Sequence, residues 1–273
     1  MSQISDVHFP KEQFDEASSS NINGYKYIRY DNGDIFIIDM SNADHSYLVA
    51  FVIMLFGAYN AGFTTPNEPM IVCGDTFHYS PNGSGVKISP DVVIIPNKNH
   101  VPYPTVPHSG PPPNDVSGHS HARIVVEIAN HQTINSLTTK CRLWLQETYV
   151  RYVLGIKIHA PKDTRNSQGN RLRAMTARLW IQGAEEYQED FGTIPKNTVI
   201  IHGRTIPTTG CTGPGLTNYT VKILIREVFY NPTNTVPAVY TPVIPAAFNI
   251  DPDASIDIDL YLIQQRVLST QKQ

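Results

Sequence analysis

Two acids and one lysine offer chemistry in this sequence. Asp91 stands in "ISPDVVIIP" (88–96), at the mouth of an apolar run, and Glu127 stands in "RIVVEIA" (123–129), near the end of another. A carboxylate set among Ile and Val is rarely buried without a partner. If the two runs are neighbouring strands, the carboxylates face each other. They then repel and raise each other's pKa, unless a cation lies between them. A hard divalent cation with oxygen ligands resolves the conflict, and the carbonyl of Ile128 would supply a third oxygen. Lys140 falls near the first turns of the next helix, where an ammonium can orient a water or stabilise charge growing on a phosphate. These types in this order suit metal-assisted phosphodiester hydrolysis. Asp91, Glu127 and Ile128 would be the metal ligands, and Asp91, Glu127 and Lys140 the catalytic groups.

The elements that must position these groups follow from the pattern. "YKYIRYDNGDIFIIDM" reads as two strands around a turn at "DNGD". "YLVAFVIMLFGAYNAG" (47–62) is apolar throughout but shorter than the roughly 18–20 residues a membrane span needs, and it reads as a buried core helix with Ser, Asn and Asp before it as capping candidates. "VKISPDVVIIP" and "ARIVVEIA" read as strands covered on both faces, since neither alternates with polar residues. Residues 135–154 read as a helix from the recurrence of Leu137, Cys141, Trp144, Leu145 and Tyr149, with Gly155 as its C-terminal glycine and "GIKIHAP" as the strand after it. "TARLWIQ" adds a strand, and "EEYQED" (185–190) reads as a solvated acidic turn. Strand, loop, strand, helix, strand implies an α/β sheet with at least one crossover.

Residues 1–24 read as a flexible lead-in. Residues 96–118 form a Pro-rich loop insertion, and 191–273 form a β-rich C-terminal extension packed on the 25–190 domain, with "SIDIDLYLIQQRVL" open to either strand or helix. The 273 residues make one large domain or one with an appendage. Net charge is −3, so no broad basic field holds nucleic acid, and a polyanion must meet a local patch or bound metal ions. Three distant cysteines argue against a zinc module or a disulfide framework and fit a reducing compartment. The N-terminus has no signal-peptide core, so an intracellular location, cytoplasmic or nuclear, with no membrane association is expected.

Other motifs carry less. "HSH" (119–121) is a weak metal signal, and "CTGPGLTN" lacks the Gly-Lys-Ser/Thr ending of a phosphate loop. No GxSxG or Cys–His arrangement supports a serine or cysteine hydrolase. A two-carboxylate glycosidase fits worse, because the close acid pair lies where a divalent ion fits and no aromatic sugar platform accompanies it.

"SPDVVIIP", "ARIVVEIANHQT", Lys140 and "GIKIHAP", in that order, resemble the Uma2-like branch of the PD-(D/E)xK nuclease superfamily. Upstream, "YIRYDNGDIFIIDMSNADHSYLVAFVIML" resembles the branch's opening, with Asp34 at the turn acid and His45 at the start of the first long helix. The resemblance spans about 25–182. It implies a restriction-endonuclease-like mixed β-sheet flanked by helices and cleavage of DNA dependent on Mg²⁺ or Mn²⁺. Asp91 and Glu127 would be metal ligands, and Lys140 a lysine displaced to the helix, since Ala129 holds the superfamily's usual lysine position. Asp34, His45 and Gln132 are candidate supporting residues. Cutting both strands of a duplex needs two sites, which makes a homodimer compatible with this chemistry. A second expectation, from the Pro-rich insertion and the acidic net charge, is a catalytically inactive nuclease-fold protein acting as an interaction module.

Overall fold

A computed structural model describes residues 8–10, 27–31, 34–38, 43–60, 68–74, 76–83, 87–101, 120–184, 186–201, 205–231 and 253–271. Its centre is a six-stranded mixed sheet in the order β11-β10-β9-β8-β7-β4. The strands are β4 (Met70–Cys73), β7 (Val92–Pro96), β8 (Ile124–Ala129), β9 (Tyr152–Ile158), β10 (Ala174–Ile181) and β11 (Tyr187–Gly192), while β5 (His78–Tyr79) and β6 (Lys87–Ile88) form a separate antiparallel pair. Among the described residues only β8 and β9 pair in parallel, and helix α2 (Ile134–Trp144) makes the crossover that a parallel pair requires. This is the mixed α/β sheet flanked by helices that the element order predicts.

The strand period of two sorts the side chains between the faces. Val92, Ile94, Ile124, Val126, Leu154 and Ile156 enter one core cluster together with Leu48, Val52 and Phe56 of α1 (Ala43–Gly57). Val93, Ile95, Val125, Ala129 and Val153 enter the other, under Leu137, Cys141 and Trp144 of α2. Both β7 and β8 are buried at every position, which is why they lack polar alternation.

The C-terminal residues share the first core. β12 (Thr220–Leu224) pairs with β13 (Ser255–Asp259), α3 (Ile225–Val228) follows β12, and α4 (Leu260–Ser269) packs on α1. Val221, Ile223, Ile256, Ile263 and Val267 belong to the same cluster as Leu48. The tail is therefore both strand and helix: 255–259 alternate, whereas Leu260, Ile263, Val267 and Leu268 recur at helical spacing.

Several expectations are corrected. The helix over 135–154 ends at Trp144, and Tyr152 already belongs to β9. Tyr149, Val150 and Tyr152 are buried in the turn and the strand, so their apolar spacing came from the core and not from a longer helix. Gly155 is no helix cap. It lies inside β9, where a Cβ would stand 2.8 Å from Trp180 Cζ3 and 3.1 Å from Cys141 Sγ, so its bare Cα makes room for that packing. Most of "EEYQED" is not a turn: 187–190 pair with 176–179 as the edge strand β11. Helix α1 is buried along Leu48, Val52 and Phe56, while Tyr47 and Met54 are exposed, so it is a surface helix with one face in the core.

Within 1–24, His8–Pro10 form β1 against β3 (Asp34–Ile38), which pairs with β2 (Tyr27–Asp31) as the expected hairpin. The rest of that lead-in and residues 102–118 of the Pro-rich loop lie outside the described residues. Among the described residues, no helix is long and apolar enough to cross a membrane.

Candidate active site

The register of β7 against β8 pairs Val92 with Val126, so Asp91 and Glu127, one step outward on each strand, stand opposite each other. By alternation both share the face of Val93, Val125 and Ala129, beneath α2. Thr133 caps that helix by accepting from the Ser136 N–H at 3.1 Å, which sets where its first turn begins. Lys140 and Trp144, one turn apart, then point at the same acid.

Glu127 is held by both. The Lys140 ammonium is 2.7 Å from Glu127 Oε2, and the Trp144 indole N–H donates to Glu127 Oε1 at 2.6 Å. The ammonium also donates to the Ser89 carbonyl at 3.3 Å, tying α2 to the segment before Asp91. Asp91 is held from two other elements. His45, in the first turn of α1, brings Nε2 to 3.1 Å from Asp91 Oδ1, and the backbone N–H of Ile128 donates to Asp91 Oδ2 at 2.7 Å. A Cβ on Gly74 would lie 2.8 Å from the Asp91 carbonyl oxygen, so a glycine lets β4 approach that backbone.

The two acids differ electrostatically. Burial would raise Asp91, but the His45 hydrogen bond, the Lys140 and His45 charges and the Ile128 N–H together hold it below its ordinary value. Burial pushes Glu127 up to about 7; the Asp91 charge adds to this, while Lys140 and Trp144 oppose it. Burial alone would lower Lys140, yet Glu127 and Asp91 outweigh it and keep the ammonium charged. Facing carboxylates driven apart in this way leave Asp91 ionised and Glu127 able to exchange a proton near neutrality.

The other candidates lie as follows. Asp34 heads β3, opposite Asp31 and Pro10, and its side chain is not among those described. Gln132 is exposed in the turn between β8 and α2, and none of the hydrogen bonds to the two acids comes from it. Ile128 meets Asp91 through its N–H. His119 lies outside the described residues. His121 is buried beside His78, whose ring meets Trp144 edge-on at 5.7 Å. Burial lowers His121 to about 3, so it is a neutral packing group. Among the described residues, no group of three or more His, Cys, Asp or Glu side chains is gathered to hold a metal ion. Trp144 was legible in the sequence only as a core residue; the signal for its second role is its i, i+4 spacing from Lys140.

No family model matches the chain, and no curated protein matches it. Among solved structures it is similar to a proposed nuclease belonging to DUF820 from Anabaena variabilis. The two are 12% identical, with 67% of this chain and 84% of that chain covered, at a TM-score of 0.38.

Proposed function

We propose that the protein is a metal-dependent endonuclease that hydrolyses phosphodiester bonds of DNA at the Asp91–Glu127 pair. The observation that supports this most is the convergence of two facing carboxylates and the Lys140 ammonium, drawn from β7, β8 and α2. The donor set fits Mg²⁺ or Mn²⁺. Each of the four carboxylate oxygens accepts a hydrogen bond from the protein, and each has a second lone pair to give. Asp91 and Glu127 would hold the ion, with the Ile128 carbonyl as a further ligand. When bound, the ion would supply charge neutralisation and an acidified water.

The chain's own groups would do the rest. His45 and the Ile128 N–H fix the Asp91 carboxylate, and Trp144 fixes that of Glu127. Glu127 would hold the ion in its ionised form, giving up its proton to do so near neutral pH. Lys140 would stabilise negative charge growing on the phosphate. Mg²⁺- or Mn²⁺-dependent nicking of supercoiled plasmid tests the proposal, provided it disappears in folded Asp91→Ala and Glu127→Ala variants. Nicking that persists in both variants would refute the site.

A second function has one observation in its favour: Lys140 already neutralises Glu127 without a metal. A catalytically silent nuclease fold serving as an interaction module would have that arrangement. Calorimetric titration with Mn²⁺ separates the two, because saturable binding lost in Glu127→Gln counts against the silent form.

A further inference from the structure

Lys157 is a buried cation that the site described above does not use. In the parallel register of β8 and β9, Glu127 stands against Gly155 and Ala129 against Lys157. Lys157 therefore lies two residues beyond Gly155, on the Glu127 face of the sheet. From strand spacing and rise, its Cα is roughly 8 Å from that of Glu127. The residue is 7% exposed. Its ammonium donates to the Asn130 carbonyl at 2.5 Å, and it forms no ion pair with a carboxylate among the described residues. An ammonium has three donors and a full charge, and a single carbonyl neutralises neither.

The surroundings add positive charge. Arg173, 3% exposed, donates to the Asn130 side chain at 3.2 Å and to the His159 carbonyl at 2.8 Å. Among the described residues its acid partner is Asp44, at 2.5 Å, and Asp44 is the neighbour of His45, which holds Asp91. Across the next strands Thr176 faces Lys157, and Asp190 faces Thr176, but Asp190 accepts from Thr176 and pairs with Lys196 at 3.3 Å. Asp44 is taken by Arg173 and Asp190 by Lys196, so Lys157 adds an uncompensated positive charge at the carboxyl ends of β8 and β9. Ligands of open α/β sheets bind at such strand ends.

We propose that Lys157 is a phosphate-binding residue of the DNA site. Its ammonium contacts a phosphodiester oxygen next to the bond cut at Asp91 and Glu127. This rests on the nuclease function proposed above. A phosphate supplies the missing negative charge and the acceptors that the free ammonium donors lack. The contact is to backbone, so it carries no base preference.

The test is fluorescence anisotropy of a labelled DNA duplex with the full chain in EDTA, where binding proceeds without turnover. Lys157→Gln is expected to weaken binding about tenfold, equally for unrelated sequences, and to reduce the salt slope by about one ion. Lys157→Arg should stay within about threefold of the parent. A Lys157→Gln variant that is folded by circular dichroism and binds with the parent affinity and slope overturns the proposal while leaving the nuclease function standing. A parent protein that binds no duplex in EDTA overturns the Lys157 contact, whereas the nuclease function stands or falls separately by the metal-dependent nicking assay. Should Lys157→Gln not fold, the unmutated protein decides. Its Lys157 Cε–Hε NMR signal, assigned with Lys157→Arg, must shift on adding duplex, and an unmoved signal sinks the proposal.

Discussion

The indole N–H of Trp144 meets Glu127 Oε1 at 2.6 Å, while Lys140, one turn earlier on the same helix, meets Glu127 Oε2 at 2.7 Å. The carboxylate is thus gripped by both of its oxygens before any ligand arrives. Removing the indole donor leaves a buried acceptor unmatched, at a cost of about 1–3 kcal/mol. Trp144→Phe should therefore lower stability by about that amount in urea unfolding. Since the indole bond favours the ionised acid, the same change should move the Glu127 titration upward by NMR. A Glu127 pKa that stays put or falls would mean the contact does not govern the acid.

Proton linkage at Glu127 has a definite sign. Its folded pKa of about 7 lies above the ordinary 4.5, so the folded state binds more protons between those values and stability falls as pH rises through that window. Glu127→Gln removes the titration and should flatten the unfolding free energy between pH 4.5 and 7 relative to the parent. An unchanged slope would place that linkage on other groups.

Asp91 behaves in the opposite sense. Its folded pKa is depressed, so its contribution is present above the unfolded value of 3.8 and is lost as pH falls through the folded one. His45→Ala removes the largest of the effects lowering it. The Asp91 titration should then move upward, with acid unfolding beginning at higher pH by circular dichroism. Acid curves that superimpose would refute the contact.

Metal affinity follows from the same pair, because ligating carboxylates must be deprotonated. Mn²⁺ binding by calorimetry is expected to strengthen as pH rises through about 7, the value to which Glu127 is pushed. Asp91→Asn should abolish it while keeping the fold, since an Asn oxygen can still accept the Ile128 N–H. Lys140→Met should reduce nicking on the order of a hundredfold with folding retained. A pH-independent Mn²⁺ affinity would remove Glu127 from the ligand set.

Gly155 tests the packing beneath the site. Gly155→Ala places a methyl 2.8 Å from Trp180 and 3.1 Å from Cys141, which should cost about 1–3 kcal/mol in chemical denaturation. Gly213→Ala, with nothing within 4 Å of the added carbon, is the matched control and should be close to neutral.

The amino-acid sequence by itself determined the central strands and the three polar groups that interrupt the apolar pattern. Short Val and Ile runs bounded by turn signals fit strands covered on both faces, and a carboxylate at their ends asks for a partner wherever it lies. Helix α2 was legible from its spacing, but its end was not, because buried residues of the following turn and strand prolonged the apolar pattern. Gly155 was misread for a related reason: a glycine after a helical pattern looks like a cap until the neighbouring strand shows Trp180 filling its place. Only tertiary structure decided that Asp91 and Glu127 stand opposite each other, that His45 reaches Asp91 from α1, and that Lys157 lies beside Ala129. Those relationships depend on strand register and helix placement, which are set by long-range packing and leave no mark in the local order of residues.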